Sequence, residues 1–193
     1  MKGEEKMERR GAREKNINRL KYNILIALLA VVIAICSRIA IPSVVPFTLQ
    51  SLAIYVSLML LGGKRGLFCV LLYLALGLIG IPVSASGQAG IAMLTSATGG
   101  YLIGWIFCAL TVWLFEAIWG GERKIRLIAI SVGTVVCYAV GTAWFVLFYS
   151  RANGTIGVWS ALCTCVLPFI AVDALKLFVA DRLALVLKRA TKI

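Results

Sequence analysis

Histidine is absent from this 193-residue chain, and only eight residues are acidic. No HExxH zinc helix can therefore form. There is no GxxxxGK[ST] phosphate loop, so ATP is not bound and hydrolysed in that way, and no GxSxG nucleophile elbow occurs. Paired carboxylates, cysteine–base pairs and metal-ligand sets on one helix face are missing too, so an enzyme has little support and no cofactor is expected. Charged residues make up only 15%, and six cysteines are too few for a disulfide-stapled miniprotein.

What is present is apolar: 61% of residues, against about 45–50% for an average soluble domain, with a mean hydropathy of +0.96. Disorder and an ordinary soluble domain are both excluded. The reading is an all-α integral membrane protein. Six apolar segments emerge, at about Tyr22–Ile41, Thr48–Leu61, Leu67–Ile81, Gly100–Trp119, Leu127–Tyr149 and Leu162–Leu187. A helical span takes about 20 residues, so the second and third segments are short. They are either thin spans or a partly re-entrant pair. Pro42 and Pro82 close the first and third segments, because the residue before a proline is biased away from helix.

The net charge of +12 would ordinarily point to nucleic acid, but its placement points elsewhere. With both termini cytoplasmic, seventeen Lys/Arg fall on the inner side and only Arg38 and Arg151 on the outer side. That asymmetry is a topology signal beside anionic lipid. Residues 1–21 form a basic cytoplasmic tail, too long and polar for a signal-peptide n-region. Residues 22–193 form the membrane domain. Tyr22 and Trp119 fall at the inner interface, and Tyr101, Tyr149 and Trp159 at the outer one. All six cysteines lie in or at the ends of apolar runs and read as small buried hydrophobes.

Asp173 and Lys176 are ionisable residues near the middle of the sixth segment. A charge at that depth costs about 2.5–3.5 kcal/mol, and the i,i+3 spacing puts both on one face. They are either a structural ion pair joining helices or the polar floor of a binding pocket, where Lys176 attracts a carboxylate or carbonyl and Asp173 accepts N–H bonds. Glu116 reads as an interfacial charge. Ala27, Ala30 and Ala34 form a small-residue stripe that packs either inside the bundle or against another membrane protein. The outer loop Pro42–Phe47 is short and proline-rich. The loop Pro82–Gly99 is small, polar and uncharged, either a compact cover over a pocket or a plain connector. No internal repeat is visible.

Five motifs occur in a characteristic order: Pro42-x-x-x-Pro46-Phe47-Thr48-Leu49-Gln50; Leu60-Leu61-Gly62-Gly63-Lys64-Arg65-Gly66; Tyr73-Leu74-Ala75-Leu76-Gly77-Leu78-Ile79-Gly80-Ile81-Pro82-Val83; Thr98-Gly99-Gly100-Tyr101-Leu102-Ile103-Gly104; and Asp173-x-x-Lys176. Over about residues 25–187 the set resembles the BioY family, the biotin-specific substrate-binding (S) components of energy-coupling-factor transporters.

The resemblance implies a bundle of six transmembrane helices in a bacterial or archaeal cell membrane. It implies biotin as ligand and no enzymatic activity. Its partners would be the lipid bilayer, a transmembrane coupling protein and two cytoplasmic ATPases, with no nucleic acid. Such a chain binds biotin at the outer side, under lids formed by the first and third loops, and moves it when partners hydrolyse ATP. Asp173 and Lys176 match the family's polar pair, with Gln50, Tyr73, Ser84, Ser86 and Gln88 as further pocket members. Tyr138 and Trp144 would flank the ligand's rings or tail. Ala27, Ala30 and Ala34 match the family's docking stripe. The loop sequence SASGQAG departs from the family's glycine-rich stretch. An S component for another vitamin and a membrane subunit without ligand remain the alternatives.

Overall fold

A computed structural model describes residues 2–41, 47–153 and 157–191. The first expected lid, at residues 42–46, lies outside the described residues, as do Lys192 and the side chains of Tyr149 and Arg151. The chain runs α1 (Lys2–Arg38), β1 (Ala40–Ile41), β2 (Phe47–Thr48), α2 (Gln50–Leu61), α3 (Gly63–Leu78), α4 (Ile91–Thr95), α5 (Gly99–Trp119), α6 (Arg123–Asn153), α7 (Val158–Cys165) and α8 (Leu167–Thr191). Among the described residues, six helices build the bundle, and the short α4 and α7 sit at one end. Helices α1, α5, α6 and the α7–α8 stretch contain segments long and apolar enough to cross a membrane.

The two short segments become α2 and α3, of twelve and sixteen residues. Almost every side chain of α2 is buried, as a helix apolar on all sides requires. Its neighbours are α1, α3, α6 and α8. Gly62 turns α2 directly into α3 with φ +80°. At Gly63 an added Cβ would sit 2.2 Å from the Trp113 backbone nitrogen, so only glycine lets α3 meet α5 so closely. The largest helix pair is α5 with α6. There Gly104 receives Cys137 and Gly133 receives Cys108, the close approach that small residues give membrane helices. Those two cysteines are buried as the sequence implies, but Cys163 is exposed and Cys36 half-buried.

Three segment boundaries differ from expectation. Helix α1 begins at Lys2, so the basic stretch continues the first helix. The sixth segment breaks at Val166 between α7 and α8. Pro168 falls in the first turn of α8, where its missing N–H leaves no intrahelical bond unmade. The polar loop after Pro82 contains a turn of helix, α4, whose Met93 is completely buried and packs where Gly77 leaves room.

At the end where α2 meets α3, charges are tied into the protein. Glu116 accepts from Arg126 at 2.5 Å and from the Gly63 backbone N–H at 2.7 Å. Arg126 also donates to the Met59 carbonyl at 2.9 Å. Arg123 binds both carboxylate oxygens of the buried Asp181. Glu116 is thus a half-buried structural charge rather than a free interfacial one. Arg65 stacks on Tyr22, 3.4 Å from the ring centroid, and Lys64 lies over Trp113 at 5.9 Å.

Candidate functional site

The opposite end of the bundle holds a cavity with an enclosed volume of about 90 Å³ behind an open mouth. Its polar floor comes from four elements. Asp173 on α8 is 7% exposed. Its Oδ1 accepts from Ser51 Oγ at 2.9 Å and from Lys176 Nζ at 3.1 Å. Its Oδ2 accepts from the Tyr138 hydroxyl at 2.6 Å. Lys176 Nζ donates further to the Thr48 carbonyl at 2.8 Å and to Ser51 Oγ at 2.9 Å. The charges neutralise each other, and their donors and acceptors find partners on β2, α2 and α6, which is what makes such a pair tolerable away from water.

One polar group in this floor is left over. Gln50 opens α2, lines the cavity and is 7% exposed. Its Nε2 is buried without a hydrogen-bond partner among the described residues. Buried polar groups are almost always paired, so an amide donor on a cavity wall is poised for an acceptor brought by a ligand.

The remaining wall is mainly apolar and aromatic. Tyr101 and Trp105 come from α5 and Phe169 from α8. Trp105 meets Tyr55 edge to face at 5.8 Å, and Phe169 stacks on Phe47 at 4.1 Å. These contacts hold flat faces in place beside the polar floor. The lining therefore suits a partly flat molecule that offers both N–H donors and carbonyl or carboxylate acceptors.

The structure brings Asp173, Lys176, Gln50, Tyr138 and Ser84 around this cavity. Four other candidates do not line it. Tyr73 is buried under the following loop, its hydroxyl donating to the Val83 carbonyl at 3.1 Å. Trp144 donates to the Ser96 carbonyl at 3.1 Å, stacks on Phe148 at 4.5 Å and presses on Gly100. Ser86 is bonded to Ser84 Oγ at 3.2 Å, and the Gln88 carbonyl accepts from Ser84 Oγ at 2.9 Å. These two shape the loop that presents Ser84.

The alanine stripe is also divided. Ala30 is completely buried in the bundle, Ala34 is half-buried and Ala27 is exposed. Ala30 therefore packs internally, and the outer face of α1 is carried by Ile24, Leu28, Val31 and Ile35.

Sequence reasoning missed Ser51, Thr48, Trp105 and Phe169, and it placed Tyr101 at a membrane interface rather than in the cavity wall. Helical spacing carried a usable signal: Phe169, Asp173 and Lys176 stand at i, i+4 and i+7, and Tyr101 and Trp105 at i and i+4. The contribution of Thr48 through its backbone carbonyl leaves no trace in the side-chain pattern.

The BioY family profile matches residues 7–193, nearly the whole chain. The chain belongs to the BioY family. Among the BioY relatives, a protein of Lactococcus lactis subsp. cremoris named biotin transporter BioY2 is 37% identical over 169 residues, covering 86% of this chain and 89% of that one. The biotin transporter BioY of Thermotoga maritima is 36% identical over 150 residues, covering 75% and 82%. A crystal structure of the S-component for biotin from an ECF-type ABC transporter matches with a TM-score of 0.76 at 28% identity. That match covers 90% of this chain and 94% of the other. The fold is thus shared over nine-tenths of the chain.

Proposed function

We propose that this BioY-family protein is the biotin-binding S component of an energy-coupling-factor transporter, and that the cavity between β2, α2, α5, α6 and α8 is its biotin site. Biotin carries two ureido N–H donors, a ureido carbonyl, a thioether ring and an acyl chain ending in carboxylate. The observation that carries the assignment is the pairing of a fixed acceptor with an unpartnered donor. Asp173 is held by three hydrogen bonds to face N–H groups, and Gln50 Nε2 has a proton to give. Trp105, Tyr101 and Phe169 supply faces for the fused rings.

Lys176 plays a double part in this reading. Its three N–H bonds are all in use, to Thr48, Ser51 and Asp173, so it orients Asp173 and holds β2 against α8. A ligand acceptor reaches the ammonium by displacing the Thr48 carbonyl or the Ser51 hydroxyl, the weaker of its acceptors.

The cavity faces outward and both termini face the cytoplasm, a reading supported by the bias of Lys and Arg towards the other end. Release to the inside is driven by a transmembrane coupling protein and two ATPases, since the chain carries no phosphate loop of its own. The outer face of α1, with Ala27 and the exposed Ile24, Leu28, Val31 and Ile35, is the surface offered to the coupling protein. Titration calorimetry of purified protein with biotin, with riboflavin and thiamin as competitors, tests the assignment. Biotin binding that the other two vitamins do not displace supports it. No heat of binding at micromolar biotin overturns it.

A further inference from the structure

The loop after α3 is fastened to the last turn of α1 by side chains that stand outside the cavity. Ser37, completely buried, places its single hydroxyl proton between two acceptors, the Ala34 carbonyl one turn back at 2.7 Å and the Val83 carbonyl of the loop. The next residue, Arg38, donates through Nη1 to the Ser84 carbonyl at 3.0 Å. Tyr73 of α3 donates to Val83 as well, at 3.1 Å. Two successive carbonyls are thus gripped just where the chain reaches the cavity, because Ser84 and Ala85 are cavity-lining residues.

The loop is shaped around this grip. It turns back at Gly87, whose N–H donates to the same Ser84 carbonyl at 3.0 Å. Gly87 has φ +76°, and an added Cβ there would come within 3.0 Å of Arg38 Nη1. The absent side chain leaves the space in which the guanidinium lies. The far side of the loop is tied separately, by Gly90 N–H to the Gly77 carbonyl at 2.8 Å and by the buried Met93. Beyond Arg38 the same stretch of chain continues into β1, which pairs Ala40 with Thr48, another cavity residue. One helix end therefore holds two parts of the cavity rim.

We infer that Ser37 and Arg38 are positioning residues that clamp the 83–88 loop over the ligand, so that the end of α1 controls escape from the site. The inference rests on the biotin-site reading for its ligand but not for its loop geometry. Because neither side chain lines the cavity, loss of the clamp speeds release while leaving capture nearly unchanged.

The test uses full-length protein and three variants, Ser37→Ala, Arg38→Gln and the double variant, with Arg38→Lys as the conservative control. Hydrogen–deuterium exchange is followed across residues 82–90 without ligand, and biotin association and dissociation rates are measured separately. A net hydrogen bond of ordinary strength corresponds to a few-fold effect each. The double variant is expected to release biotin about tenfold faster, with its association rate within about twofold and Arg38→Lys near the parent. Exchange rises in 82–90 and not in α5 or α6. Unchanged exchange in that loop, or unchanged dissociation, overturns the inference. A parent that does not bind biotin sinks the site reading instead, and the exchange measurement then decides the clamp alone. If the double variant does not fold, the single variants decide it.

Discussion

Replacing Asp173 by asparagine removes one charge and leaves the floor of the cavity otherwise full. The amide keeps an oxygen for Ser51 or Tyr138 but loses the partner that neutralises Lys176, whose ammonium is 3.1 Å away. Both side chains are about nine-tenths buried. Breaking such a pair by removing one member costs about 3–5 kcal/mol. The ligand is expected to lose a charge-assisted hydrogen bond of about 1.5–3 kcal/mol, which is roughly a 10–100-fold loss of biotin affinity. These two losses must be told apart. The double variant Asp173→Asn/Lys176→Met removes the orphaned charge, so thermal stability in detergent should recover most of what the single variant lost. Affinity should stay weak, because the acceptor for the ureido N–H groups is still gone. Calorimetry and thermal unfolding on both variants make the comparison. A double variant that binds biotin as tightly as the parent would refute the reasoning, because the charged couple would then be a helix fastener and nothing more.

Gln50→Leu should weaken biotin binding about tenfold without lowering the unfolding temperature, because Nε2 has no bond to lose among the described residues; equal affinity in calorimetry would remove Gln50 from the site. Glu116→Gln should destabilise the protein by about 1–3 kcal/mol through the loosened Arg126 and Gly63 contacts, while biotin affinity stays within about threefold; thermal unfolding and calorimetry read the two effects. Gly63→Ala should disrupt folding outright, since its Cβ would meet the α5 backbone at 2.2 Å; yield and monodispersity in detergent report it. Trp144→Phe should leave affinity nearly unchanged, since the residue serves the α5–α6 packing and the Ser96 carbonyl.

The helices were legible because a bilayer asks for long apolar runs, and α5 and α6 fall within a few residues of the segments read from sequence. Ends were harder. Helix α1 reaches back to Lys2 because a polar, charged stretch can remain helical in water, which an apolar count cannot detect. The break at Val166 was hidden because Leu162, Val166 and Leu167 read as one hydrophobic run, although Pro168 marked it. Within the site, Asp173 and Lys176 stood out because charges inside a bilayer are rare and costly. Tyr73 and Trp144 misled for a related reason. An aromatic with a polar tip looks like a ligand contact, yet both satisfy that tip on a backbone carbonyl inside the fold. Nothing in residue type separates the two uses; only the direction of the helix face does. Tyr138 and Trp144 are six residues apart on α6 and so point to different sides.

Polar groups in a membrane protein must find partners inside the protein, since lipid offers none. That rule turns ordinary hydrogen-bond accounting into a functional argument. Ser51 and Tyr138 spend their protons on Asp173, Lys176 spends its own on three oxygens, and Thr134 is paired with Tyr55. The floor of the cavity is nearly closed on itself, and closure explains why two charges can rest there at all. The exception is the Gln50 amide. A bundle that wanted only rigidity would do better with leucine at that position, since a lone buried amide costs stability and returns none. Its presence at the start of α2, on the same cavity lining as the paired charges and Trp105, with no acceptor among the described residues, has a rationale if a ligand brings that acceptor.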